Sequence, residues 1–275
     1  MKASTLEHKL GLEILVSTMD RSSLSFLDNM FPHHDLRSLN ILIINQTTIG
    51  QELTSNQKNI RVINSYDKGL SKSRNLALEN AIGDICLIAD DDVEYVEGFE
   101  NAIKNSFSKL KTISVVLFKI KTFDGNYYKG YPQNSKLLST KKELAKSSSI
   151  EIAFRREDIE KHKIRFNTLF GLGSQFPSGE EYLFLRDVHK HKMNVFFENT
   201  YIVKHERESS TSKVESDSFL MTKGAIYYID YNLSAYFFAV KYVLFLLRKG
   251  KITLGEIFRT YFKIINGILA YKNQI

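Results

Sequence analysis

The sequence predicts an α/β fold: an open, mostly parallel sheet with helices on both faces, followed by amphipathic helices at the C-terminal end. Three observations carry that expectation. Apolar runs at 12–17 (LEILVS), 40–44 (NILII) and 84–89 (DICLIA) lack polar alternation, as strands covered on both faces do. A helical segment between two such runs gives the strand–helix–strand rhythm that parallel pairing requires. From 221 to 275 the composition turns aromatic and basic.

The first three strands are 12–17, 40–44 and 60–63 (IRVI). A helix follows over 71–81, with Ser71 able to cap it, Leu78, Ala81 and Ile82 on one face, and Gly83 as its stop. Residues 84–89 return to strand, 99–110 to helix and 113–118 to strand. Beyond Lys119 the pattern loosens. Residues 121–146 are polar, with Asp124-Gly125 as a turn signal, and 150–154 reads as a strand. A loop carrying several glycines spans 165–179, a helix starts near Ser178 and runs to about Lys190, and strands follow at 195–197 and 201–204. The polar stretch 209–218 is expected to be mobile. No internal repeat is visible, and no composition shift marks a second domain before about residue 220. The expected division is therefore 1–220 and a helical segment 221–275.

Of 275 residues, 14 are Gly and 3 are Pro, too few for a collagen-like or low-complexity chain. One cysteine excludes a disulfide framework and a cysteine-based zinc site, and Cys86 lies in an apolar run where a buried, inert thiol is expected. A net charge of +7 suits an anionic partner, whether nucleic acid, membrane surface or phosphorylated small molecule. Glu7, His8 and Lys9 interrupt any secretory apolar core, so a cytosolic or cytosol-facing chain is expected. Residues 233–247 are rich in Tyr, Phe, Leu and Val, yet fall short of the roughly 20 residues a spanning helix needs. They carry Lys241 in mid-run and are followed by Arg248, Lys249 and Lys251; a second apolar segment with scattered Lys covers 257–271. Two readings stand for this end: interfacial helices on an anionic bilayer, or helices packing on the protein's own core.

The strongest chemical signal is Asp90-Asp91-Asp92 at the carboxyl end of the 84–89 strand, the edge at which open α/β sheets bind ligands. Side chains two apart on an extended chain point the same way, so Asp90 and Asp92 should converge while Asp91 faces away, free to bond a ribose hydroxyl. Three adjacent anions call for a counter-charge. A hard divalent cation, Mg²⁺ or Mn²⁺, supplies it by bridging carboxylate and phosphate oxygens. The rival reading is a solvated acidic turn. Upstream, 67–75 (DKGLSKSRN) leads into a helix start whose free N–H groups and dipole, with Lys68, Lys72 and Arg74 nearby, suit an anionic group. No P-loop is present and no G-x-G-x-x-G follows the first strand, which removes most support for kinase, P-loop NTPase and dinucleotide readings.

In their order and spacing these pieces resemble the family 2 glycosyltransferases of the GT-A fold, inverting enzymes that use a nucleotide-diphosphate sugar and a divalent metal. The resemblance covers about 12–212. Ser17-Thr18 with Met19-Asp20-Arg21 is similar to the family's opening strand and base-contacting turn. The run from Gly69 to Asn75 resembles its helix-start motif beside the nucleotide, and Asp90-Asp91-Asp92 its D-x-D metal motif. Gly179-Glu180-Glu181, with Leu185 and Arg186, resembles its acidic pair at a helix start, and His205 lies where the family often places a metal or diphosphate ligand. The second strand ends in Asn45-Gln46 where the family usually has an Asp against the base, and Glu181 stands where it usually has Asp. The resemblance implies nucleotide contacts from Ser17, Thr18, Asp20, Asn45, Lys68, Gly69, Arg74, Asp90 and Asp91. It implies a metal held by Asp90, Asp92 and His205, and Glu181 as the base with Glu180 as its neighbour. It also implies a nucleotide-binding half of about 10–120, an acceptor-binding half of about 121–220 shaped by the loop 170–179, and closure of 209–218 over the diphosphate.

Inverting transfer needs one base to take the acceptor proton and a positive charge to neutralise the departing diphosphate. Two adjacent carboxylates raise one pKa toward the useful range. Ser178-Gly179-Glu180-Glu181 reads equally as a helix capping box. The expected function is a metal-dependent inverting glycosyltransferase that moves a sugar from a nucleotide-diphosphate donor, UDP favoured, to a saccharide or lipid-linked saccharide in surface polysaccharide synthesis. It would work peripherally at the inner face of the cell membrane, with no nucleic-acid partner. One alternative is a nucleotidyltransferase that makes nucleotide sugars; the absence of glycine from 17–22 counts against it. The other is a non-enzymatic basic membrane-binding module, which has no use for the aspartates.

Overall fold

The computed structural model describes residues 10–206 and 216–274. Most of the stretch expected to be mobile and to close over the diphosphate, 209–218, lies outside the described residues. The chain divides into two compact units, Met1–Phe166 with Glu181–Arg207, and Asn167–Glu180 with Glu208–Ile275. The second unit takes in a segment that a boundary at 220 leaves in the first.

In chain order the first unit is built from β1 (Leu12–Met19), α1 (Phe26–Met30), β2 (Asn40–Gln46), β3 (Ile60–Ser65), α2 (Leu70–Asn80), β4 (Ile85–Asp90), β5 (Glu94–Tyr95), α3 (Phe99–Lys109) and β6 (Val115–Lys121). It continues through β7 (Lys136–Leu138), α4 (Lys141–Leu144), β8 (Ile152–Arg155), α5 (Arg156–Lys161), α6 (Glu180–Lys190) and β9 (Val195–Lys204). The sheet order is β3-β2-β1-β4-β8-β6-β9-β5, with β7 also on β9. The apolar runs of β1, β2 and β4 are buried on both faces, as their lack of alternation requires. Leu12, Ile14, Val16, Ile41, Ile43, Ile85 and Leu87 form one core with Phe26 and Leu27 of α1 and Phe99, Ile103 and Phe107 of α3. On the other face α2 packs against β1 and β2 through its buried Ala77 and Leu78.

The α/β class holds, and the direction of pairing adds detail. Parallel pairing runs across β3-β2-β1-β4 and between β6 and β9, whereas β8 is antiparallel to both β4 and β6, so that half of the sheet is mixed. A buried run such as IAFR reads the same in either direction, so its period carries no orientation. The runs 195–197 and 201–204 form one continuous strand, β9, with register shifts against β6. Helix α2 starts one residue earlier than expected. Its N-cap is Gly69, at φ 128°, and Ser71 is buried inside the first turn instead of capping it. Helix α6 starts at Glu180, so Gly179, at φ 92°, holds the N-cap position that a capping box would give to Ser178. Cys86 is buried, and burial pushes its thiol pKa far up, which makes it inert as expected.

Among its described residues the second unit holds the helices α7 (Asp217–Tyr231), α8 (Ala235–Arg248) and α9 (Ile257–Lys272). Leu220, Ala239, Val243, Leu246 and Ile264 form their shared core. Helices α7 and α9 approach closely at two glycines. A Cβ on Gly224 would lie 1.9 Å from the Ile264 carbonyl oxygen, and one on Gly267 would lie 1.9 Å from that of Met221. Leu233 is exposed in the turn before α8, the face of α8 opposite its packed side carries exposed Phe237, Val240 and Leu244, and the outer side of α9 carries Phe258, Phe262 and Leu269. Among the described residues, no helix is long and apolar enough to cross a membrane.

Candidate functional site

The parallel register sets Ser17 beside Asp90 and Thr18 beside Asn45, so the carboxyl ends of β1, β2 and β4 form one edge. The first turn of α2 abuts that edge. The Gly69 N–H donates to Gln46 Oε1 at 2.6 Å, the Ser73 hydroxyl donates to Ser17 Oγ at 3.0 Å, and Arg74 Nη2 donates to Asp90 Oδ1 at 2.9 Å. A helix start is thus fixed to three strand ends, which aims its positive pole at the acidic turn. Asn75 locks the helix from behind: its Oδ1 accepts from the Phe166 N–H at 2.7 Å and its Nδ2 donates to the Phe166 carbonyl at 2.9 Å.

The three aspartates do not meet at one point. Strand β4 ends at Asp90 and the chain turns at Asp91 and Asp92, so the two-residue alternation behind their expected convergence stops there. Asp90 faces Arg74, which is 3% exposed and lies over the Phe166 ring, and accepts from the Ser149 hydroxyl at 3.3 Å. Asp91 accepts from the Thr18 hydroxyl and from Arg21 Nε at 2.8 Å. Asp92, with its side chain 66% exposed, pairs with His205 Nε2 at 3.4 Å. The hydrogen bond between them draws the Asp92 pKa down and the His205 pKa up. The Tyr128 ring sets its edge against the imidazole at 5.7 Å.

Among the described residues no three His, Cys, Asp or Glu side chains gather as a metal-binding group. Asp92 and His205 do come together, while Asp90, the third expected ligand, is turned to Arg74 and Ser149. An exposed carboxylate beside an imidazole fits a divalent cation that takes its remaining ligands from phosphate and water.

The other expected residues differ in their exposure. Asn45 is fully buried, accepts from the Arg21 N–H at 3.2 Å, and donates to the Arg21 carbonyl at 3.3 Å and to Asn64 Oδ1 at 3.0 Å. It braces the turn after β1 and has no amide group left for a base. Ser17, also buried, accepts from the Ser73 hydroxyl. Asp20 stands exposed at φ 52° at the tip of that turn, its N–H donating to the Gln46 carbonyl at 2.8 Å, and Lys68 is exposed just before α2. Glu180 is buried and Glu181 half-buried at the start of α6. The expected list lacked Arg21, Gln46 and Ser149. Arg21 and Gln46 each directly follow a residue on that list, which is signal enough to find them, whereas Ser149 lies 59 positions from its partner Asp90 and has none.

Residues 45–176 match the sequence profile of glycosyl transferase family 2. No curated protein matches the chain in sequence. In structure the chain is similar to S. aureus TarS 1-349, with a TM-score of 0.55 at 14% identity over 96% of this chain and 73% of that one. It is also similar to TarS 1-349 in complex with UDP, with a TM-score of 0.56 at 15% identity over 90% and 77%. With the UDP-GlcNAc complex the TM-score is 0.52 at 15% identity over 79% and 66%. These likenesses speak to the fold, an open α/β sheet of the GT-A kind.

Proposed function

Because residues 45–176 match the profile of glycosyl transferase family 2, we propose that this chain is a glycosyltransferase of that kind and transfers a sugar, with inversion, from a nucleotide-diphosphate donor to a saccharide or lipid-linked saccharide acceptor. A UDP-sugar is the favoured donor, supported by the UDP and UDP-GlcNAc bound in the similar TarS structures. The observation that carries the reading is the division of labour at the acidic turn. Asp90 and Asp91 are tied to Arg74 and Arg21, whereas Asp92 is exposed and pairs with the half-buried His205. The nucleoside would lie along the β1 and β2 ends near Asp20, with its diphosphate between that helix start and the Asp92–His205 corner. A Mg²⁺ or Mn²⁺ ion held by Asp92 and His205 would neutralise the leaving diphosphate as a Lewis acid.

Glu181 is assigned the base. Its carboxylate takes the proton of the acceptor hydroxyl as that oxygen bonds to the anomeric carbon and the bond from that carbon to the diphosphate breaks. Glu180 is buried next to it at the start of α6. We assign the exposed apolar stripes of α8 and α9, with Lys241, Arg248, Lys249 and Lys251, to peripheral contact with an anionic membrane, and we propose that the enzyme works at the cytoplasmic face in surface polysaccharide synthesis.

Calorimetry with UDP-GlcNAc tests the site. The wild type should bind at least about tenfold more tightly with Mn²⁺ than without, a difference of ~1.4 kcal/mol, and Asp92→Ala should abolish that difference. A wild type indifferent to Mn²⁺ would overturn the metal assignment.

A further inference from the structure

Strand β8 is antiparallel to both β4 and β6, so β6 runs in the direction of β4 and its carboxyl end emerges at the same edge as Asp90. An aromatic and cationic cluster sits there. Tyr127, bridged to Lys121 across the turn, stacks on Tyr201 of β9 with ring centres 6.0 Å apart. Lys119 Nζ lies 5.0 Å from the Tyr127 ring centre and 4.2 Å from that of Tyr201, and Lys121 Nζ lies 4.3 Å from Tyr201. Lys119 is 7% exposed and donates to Asn199 Oδ1 at 2.9 Å. Among the described residues neither lysine has a carboxylate partner.

Two ammoniums, one of them buried, thus face only rings and an amide. A buried charge balanced by neutral groups alone is costly, and an anion that reaches it recovers part of that cost. Above the ammoniums the Tyr127 ring is 60% exposed, a flat apolar surface of the kind a sugar's C–H face covers. The cluster also adjoins the Asp92–His205 corner. The His205 N–H donates to the Lys121 carbonyl at 2.9 Å, and Tyr128, next in sequence to Tyr127, touches the imidazole. It lies on the opposite side of that corner from β1 and β2, because the sheet order places β8, β6 and β9 beyond β4. A donor with its nucleoside at β1 and β2 therefore leaves this side to the acceptor.

We propose that Tyr127, stacked on Tyr201 above Lys119 and Lys121, is the acceptor subsite and takes an acidic saccharide, a sugar bearing phosphate or carboxylate. The sugar ring lies on Tyr127 and its acidic group reaches the lysine ammoniums. The role as acceptor site rests on the donor reading above; the preference for an acidic sugar rests on the cluster alone.

Titration of the isotope-labelled full chain by NMR, with glucose 6-phosphate, glucuronate and glucose as probes, tests it. At least one acidic sugar should shift the Tyr127 and Tyr201 ring signals with an affinity at least about fivefold above that of glucose. Tyr127→Ala and Lys121→Gln should each weaken that sugar by about five- to tenfold while the affinity for UDP in calorimetry stays at the wild-type value. The exposure of Tyr127 lets the alanine variant keep the fold, which its amide spectrum checks. Equal binding of glucose, or acidic-sugar binding that survives both substitutions, would overturn the proposal. A loss of UDP affinity in Lys121→Gln would assign the cluster to the donor diphosphate instead. A wild type that binds UDP neither with nor without Mn²⁺ would sink the donor reading, with the sugar titration still deciding whether the cluster binds acids.

Discussion

Arg74 shows how one side chain joins several requirements. Its guanidinium is buried, donates to Asp90 and covers the Phe166 ring, so it fixes the first residue of the acidic turn to the helix that faces it. Arg74→Ala should cost about 2–3 kcal/mol in denaturant unfolding, below the range for a fully buried pair because Asp90 is partly solvated. Arg74→Lys should recover only part of that, since an ammonium lacks the planar fork and the ring stacking. At the other end of the chemistry, Glu181→Gln should lower kcat by about 10²–10⁴-fold with UDP-GlcNAc affinity unchanged in calorimetry; undiminished turnover would remove Glu181 from the reaction. At this scale the sequence told the place and the charge of the residues, but not their partners. Asp90-Asp91-Asp92 is legible as an acidic turn because it ends an apolar run. That Asp91 belongs to Arg21 and Asp92 to His205 depends on where β4 stops and where β9 returns, which no local pattern records.

Elements of different length were legible to different degrees. The strands β1, β2 and β4 declare themselves because burial on both faces forces an unbroken apolar run, and α2 and α3 because each spans about three turns. Elements such as β5, with two residues, or α4, with four, hold no full period and exist only through their neighbours. In the C-terminal unit the close approach of α7 and α9 makes a sharp prediction. Gly224→Ala puts a methyl group into the Ile264 carbonyl, so the helices must separate, and the thermal midpoint should fall by several degrees for each kcal/mol lost. Helix α7 also depends on acidity at its start. Lys263, 2.6 Å from Asp217, holds that carboxyl below its ordinary value, so the contribution to stability is full above the unfolded pKa and is lost as pH falls through the folded one. Lys263→Gln should return the Asp217 titration, followed by NMR, upward toward the usual carboxylate range.

For the molecule as a whole, the exposed apolar stripes of α8 and α9 stand against the general rule that such surface is scattered. Flotation with phosphatidylglycerol vesicles should carry the wild type upward, more weakly as salt is raised, and Phe237→Glu with Phe258→Glu should leave it in the soluble fraction. Retention of a dimer in sedimentation without vesicle binding would assign the stripes to a second copy of the chain. The central place of β8 in the sheet has a further consequence during synthesis. Strands β1 to β4 can pair as they leave the ribosome, but β4 and β6 stay unjoined until residues 152–155 emerge to lie between them, and β5 and β7 find no neighbour until β9 follows. A nascent chain halted before that point exposes two raw sheet edges, which makes this stretch of translation the one in which a chaperone or a pause would decide the yield.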